Sequence, residues 1–215
     1  MSLFSGRPLR RRVTGVVALA LVPLMVAVGV AWAEVTDNMF PTSNTSPFCV
    51  KGMHTTPCQT DNRDVSYYMD SSGEFMLEAT DRTDVQNVMA NQYAPTDLVI
   101  AYDSTPVFSG SGETDIVYQE GSAGISDSAD GMAWCDALGG DMVDCDQQVV
   151  RIRGNGYYTP SLVCHETGHA VGLQHGNVAS PQISRTDPAL GCMKTPTGGT
   201  TTLGANNRGH INNTY

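Results

Sequence analysis

The sequence predicts an α/β domain built on a mixed five-stranded sheet. Three observations predict it. Apolar patterns follow one another in the order strand, helix, four strands, helix, with a short helix at the end. Gly, Pro, Asn and Asp clusters separate those segments, so each reads as its own element. The chain has 215 residues, 40% of them apolar and 22 of them Gly, enough to bury a sizeable core and join its elements by tight loops.

Residues 1–33 read as an export leader. Arg7 and Arg10 to Arg12 precede an apolar run from Val13 to Ala31, and Ala31-Trp32-Ala33 supplies small residues where a signal peptidase cuts. An uncleaved anchor is the competing reading, because the run is about long enough to span a bilayer. The arginines suit a twin-arginine signal as well as an ordinary one. Residues 34–62 are polar and turn-rich, with Pro41, Pro47 and Pro57, and are expected to form an irregular extension. Residues 63–215 carry the regular pattern. Val65 to Met69 is a short strand. Glu74 to Tyr93 has helical spacing at Met76, Ala79, Val85, Val88 and Met89, and Ala94-Pro95 stops it. Leu98 to Tyr102, Asp115 to Gln119 and Met132 to Cys135 are strands. Gln148 to Arg153 alternates, with Val150 and Ile152 on one face. A helix is expected from Pro160 or Ser161 to about Leu173, and a short one from about Ala205 to Asn213.

Charge narrows the function. Cleaving the leader removes four of the 12 basic residues and none of the 22 acids, which leaves eight against 22, a formal balance of −14. Such a surface repels phosphate backbones and gives no basic helix for a membrane. Neither nucleic acid nor a stable membrane association is expected of the cleaved chain, and it is expected to be a monomer.

The six cysteines are Cys49, Cys58, Cys135, Cys145, Cys164 and Cys192. In an exported chain an even number suggests three disulfides. Six cysteines allow fifteen pairings. Local spacing favours Cys49–Cys58 and Cys135–Cys145, which leaves Cys164–Cys192.

Chemistry concentrates in His165-Glu166-Thr167-Gly168-His169-Ala170-Val171-Gly172-Leu173-Gln174-His175. Residues four apart share one helix face, so His165 and His169 can aim ring nitrogens at one point about 2 Å away, as zinc requires. Gly172 lets the backbone leave the helix by a left-handed turn, and the chain can return to present His175. Three neutral imidazoles leave one zinc position open, which marks a catalytic rather than a structural site. Glu166 sits beside the first ligand and is the candidate general base for a water at that position. A shuffled chain of this composition would carry the whole pattern roughly once in a hundred thousand trials, so incidental histidines are a poor account of it.

These residues resemble the metzincin superfamily of zinc metalloendopeptidases, which carry this motif and, further on, a tight turn with a Met beneath the metal. The matching turn is Gly191-Cys192-Met193-Lys194-Thr195-Pro196, with Met193 as the apolar floor. The metzincin order of elements matches the chain from about Val65 onward. The resemblance implies a catalytic domain over 63–215 that cuts extended peptides or proteins. It also implies one catalytic zinc, a bridge from Cys164 to Cys192 that ties the helix to the turn, and an edge strand at Met132 to Cys135 that takes peptide as an added strand. Thr195 stands where some members carry a Tyr ligand, and His175 where others carry Asp. The likeness is therefore greatest to small bacterial matrixin-type enzymes, although a cysteine-bearing propeptide is not recognisable.

Two rivals stay open at this level: a secreted protein that uses zinc only for stability, and an amidase of cell-wall peptides. Asp127, Asp130, Asp141, Asp144 and Asp146 suggest calcium, against a competing reading as solvated loop acids, and no twelve-residue calcium loop is present. His54 and His210 lack partners at ligand spacing.

Overall fold

The computed structural model describes residues 35–110 and 112–215. The expected leader, residues 1–33, lies outside the described residues. Among the described residues no helix is long and apolar enough to cross a membrane.

The strands are β1 (Gln59–Thr60), β2 (Asp64–Met69), β3 (Val99–Tyr102), β4 (Ile116–Glu120), β5 (Gly131–Leu138) and β6 (Asp144–Ile152). The helices are α1 (Ala79–Val88), α2 (Pro160–Ala170) and α3 (Gly204–Thr214). The sheet runs β3-β2-β4-β6, all parallel, with the two-residue β1 also parallel to β6. β5 lies antiparallel on the other side of β6, with an irregular register between Cys135 and Leu138. The α/β class and the mixed sheet match expectation. The sheet has six strands rather than five, because Gln59 and Thr60 pair with Asp144 and Cys145. Two residues leave no alternation to detect, which is why this strand is invisible to periodicity.

Most other boundaries move by a few residues. β5 and β6 are longer than the Met132–Cys135 and Gln148–Arg153 segments and form a continuous hairpin. The first helix begins at Ala79 rather than Glu74. Phe75 O accepts from Glu120 N and Asp70 O from Leu77 N, so residues 75–77 spend their backbone on the sheet end. After Val88 the chain makes one wider π turn, Met89–Tyr93, which buries Tyr93.

The core lies between the sheet and the helices. Val65, Tyr67, Met69, Ile116, Tyr118, Val150 and Ile152 face Val85, Met89, Val163 and Ala170, all buried. Burial of this kind is favourable at about 25 cal/mol per Å² and fixes which strand faces point inward. The helix α2 is buried almost all round. It is therefore held by polar ties as well: Tyr118 and Thr167 hydroxyls meet at 2.7 Å, and Tyr93 donates its hydroxyl to Cys164 O at 2.6 Å. Thr159 caps the helix by accepting from Leu162 N, with Pro160 in the first turn.

The three disulfides are Cys49–Cys58, Cys135–Cys145 and Cys164–Cys192. The third joins α2 to the turn that carries Met193. Residues 35–45 lie as a strap against the segment that follows α2 and against α3. Asp37 bridges to Ser180, and Met39 to Leu173. Thr36 N donates to Asn206 Oδ1, Asn38 Nδ2 donates to Asn207 Oδ1, and His210 Nε2 meets Thr36 O, so α3 grips the strap. His210 is thus a buried structural residue.

Replacing Tyr118 with Phe should cost about 1 kcal/mol, because the Thr167 hydroxyl loses its partner in a dry interior. Urea unfolding should show a lower midpoint with an unchanged slope.

Candidate metal centre

The path of the chain through His165–His175 follows from its sequence. α2 ends at Ala170, and Gly172 takes a φ of 96°. Leu173 N donates to Gly168 O and Gly172 N to His169 O, the hydrogen-bond pair of a Schellman turn. Side chains resist that φ, so Gly172 reverses the chain and brings His175 back to α2. The next residues are tied down in turn. Gln174 N donates to Asn38 O, and Gln174 Nε2 donates to Pro57 O. The third histidine is therefore placed by the N-terminal strap, a dependence that sequence spacing did not reveal.

The three Nε2 atoms form a nearly equilateral triangle: 3.2 Å from His165 to His169, 3.1 Å from His169 to His175 and 3.0 Å from His165 to His175. A point about 2 Å from all three lies roughly 1 Å out of their plane, which matches zinc–imidazole distances. The tautomers decide what the triangle is for. His165 Nδ1 lies 2.7 Å from Cys192 O, and His169 Nδ1 lies 2.7 Å from Leu173 O. Carbonyls only accept, so both Nδ1 atoms carry hydrogen and both Nε2 atoms of the neutral rings present lone pairs. Two lone pairs facing each other at 3.2 Å attract a cation, not each other. One proton on His175 can serve only one of them at a time. The triad can hold a metal ion.

Burial keeps the donors neutral. It lowers His165 to about 4 and His175 to about 3, and drives His169 well below its usual value. The Arg185 charge pushes His165 and His175 the same way. Glu166 is raised to about 8 by burial alone. Its carboxylate lies against the start of β5: a Cβ on Gly131 would fall 2.8 Å from Glu166 Oε1. Gly131 thus leaves the room Glu166 occupies. The expected strand began one residue later and missed it. Gly168 has a similar role, since a Cβ there would overlap Met193 Sδ. Met193 is fully buried behind α2, with Cys192 bridged to Cys164.

A cleft of about 510 Å³ opens over this group. Gly131, Met132 and Ala133 of β5 line one side, and Arg185 and residues 194–197 line another. Among the described residues β5 pairs only with β6. Its outer edge is covered at Cys135, whose carbonyl accepts from Gly52 N, and not along 131–133. The calcium expectation fares differently. Among the described residues none of Asp127, Asp130, Asp141, Asp144 and Asp146 belongs to a group of three or more ligating side chains whose atoms lie within 4.8 Å of one another. Cys49, Cys58 and Cys135 do cluster, but all three are in disulfides.

No family model matches the chain, and no curated protein matches it.

Two outcomes are expected. The first concerns metal-free protein. Glu166 titrates near 4.5 when unfolded and about 8 when folded, so its contribution is full at low pH and is lost as pH rises through 8. The imidazoles act in the opposite sense. Their folded values lie below 6.5, so stability is lost as pH falls below 6.5. Chelator-treated protein should therefore melt at highest temperature near pH 6.5 and lose stability towards pH 8. Glu166→Gln should flatten that upper limb in thermal melts. The second concerns the Cys164–Cys192 bridge. Replacing both cysteines with Ala should leave a folded chain that binds metal about tenfold more weakly, because the Cys192 carbonyl that orients His165 is no longer held. Competition with a chromophoric chelator measures it.

Proposed function

We propose that this protein is a secreted zinc-dependent metalloendopeptidase, a metzincin-like enzyme that cleaves extended peptide segments. The observation that carries the reading is the pair of Nε2 lone pairs, fixed by Nδ1 donation to backbone carbonyls, converging with His175 beside a buried carboxyl in an open cleft. A structural zinc site has four protein ligands and needs no base. Here three neutral donors, a cleft and Glu166 come together.

When bound, zinc supplies a Lewis acid that polarises a peptide carbonyl and makes a water acidic. The rest is done by the chain. His165, His169 and His175 hold the ion, and the Cys192 and Leu173 carbonyls hold two of the rings. Glu166 takes the proton from the attacking water and returns it to the leaving amine. Its burial raises the carboxyl's affinity for a proton, and a nearby cation lowers it again, which brings it into a useful range at neutral pH. The uncovered stretch of β5 offers backbone groups to an extended peptide, which fixes the scissile bond over the imidazoles. Met193 packs under α2 and keeps the ligand helix from shifting.

The disulfides support an oxidising destination, and so does the leader-like start of the sequence.

The test is direct. Glu166→Ala should retain about one zinc per chain and lose peptide cleavage by a factor of 100 or more. Metal analysis and a quenched-peptide assay on the same sample check both parts, and cleavage at the wild-type rate overturns the assignment. A chelator should silence the wild type, and added zinc should restore it.

A further inference from the structure

The cleft departs from the charge of the rest of the molecule. Past the leader the chain has eight basic residues against 22 acidic ones. Two of those eight, Arg185 and Lys194, line the cleft with the three histidines. They come from different segments that are joined beside the site, since Thr195 N donates to Arg185 O at 2.8 Å. Among the described residues neither side chain has a carboxylate or other hydrogen-bond partner. Other arginines have defined partners: Arg63 lies 4.0 Å from Asp64, Arg82 donates to Leu77 O and Arg208 to Gln92 Oε1. Arg151 and Arg153 both donate to backbone carbonyls of the 123–129 loop, and Arg151 also stacks on Phe75. Arg185 and Lys194 instead line the cleft, and the Arg185 charge is felt at His165 and His175. Asp130 is the exposed acid in the same cleft, and it comes from the β5 side.

We infer that Arg185 and Lys194 select substrates that carry a carboxylate within a residue or two of the scissile bond. This rests on the peptidase reading and adds the chemical class of its substrate. The overall negative charge does not oppose it at contact range, because at physiological salt the surface field is screened beyond about 8 Å. A partly exposed ion pair is worth up to about 1 kcal/mol, close to a fivefold change in rate or affinity. The carboxylate can belong to an internal Asp or Glu or to the chain end of a peptide, and the two are separable.

The experiment uses the zinc-loaded protein and matched quenched peptides with Glu, Gln or Lys at each position flanking one cleavage site. Each is made with a free-acid and an amidated end. A Glu peptide should exceed its Gln twin about fivefold in kcat/KM at one position, and the gap should close at about 1 M salt. If only the free-acid end gives the gain, the carboxylate recognised is terminal; if the internal Glu does, it is a side chain. The Arg185→Glu, Lys194→Glu double variant should reverse the order and favour Lys. A parallel arm measures anisotropy of labelled Glu and Gln peptides on Glu166→Ala protein, where the same preference should appear without turnover. Equal treatment of Glu and Gln at every position, with no effect of the free acid, overturns the inference while leaving the peptidase reading intact. So does a preference that survives in the double variant. No cleavage of any peptide, with the binding preference kept, overturns the peptidase reading and leaves the anion selectivity standing.

Discussion

Two hydrogen bonds from imidazole Nδ1 atoms to backbone carbonyls set the character of this molecule. Cys192 O and Leu173 O each take a proton from a ring. That forces the opposite nitrogens to face inward as bare lone pairs, at a separation that a cation satisfies and another imidazole does not. Much of the surrounding structure serves those two carbonyls. The Schellman turn at Gly172 delivers Leu173 O, and the Cys164–Cys192 bridge, with Met193 packed beneath α2, delivers Cys192 O. The sheet contributes through Tyr118 and Thr167, which lock α2 against β4.

Much of this was legible in the sequence, and the reasons differ by element. The order of strands and helices could be read because core-facing residues repeat at periods of two or near four. The ligand set could be read because a helix imposes four-residue spacing and because Gly172 marks where the helix must end. Local cysteine spacing left a set of pairs that the folded chain adopts. What stayed hidden was long-range and aperiodic. β1 is too short to alternate. The start of α1 was misplaced because Glu74 to Glu78 has helical composition, yet its backbone bonds to the strand ends instead. Gly131 shows no signal in the sequence at all; its meaning comes from Glu166, thirty-five positions later. Arg185 and Lys194 have no pattern in the sequence that joins them, and the cleft brings them together.

The residues before β1 read from the sequence as an irregular extension, being polar and rich in turns. They form a structural clasp. Asn38 takes the Gln174 amide through its own carbonyl and donates its side chain to Asn207 on α3, so one residue near the start of the described chain connects the third ligand to the last helix. Pro57 O holds Gln174 from a second direction.

That clasp sets the third ligand apart from the other two. His165 and His169 come from one helix and are aligned where α2 packs on the sheet. His175 follows a residue held where the segment before β1 and α3 meet across Asn38. The third imidazole thus depends on contacts between segments more than 130 positions apart, whereas the first two depend on a single helix.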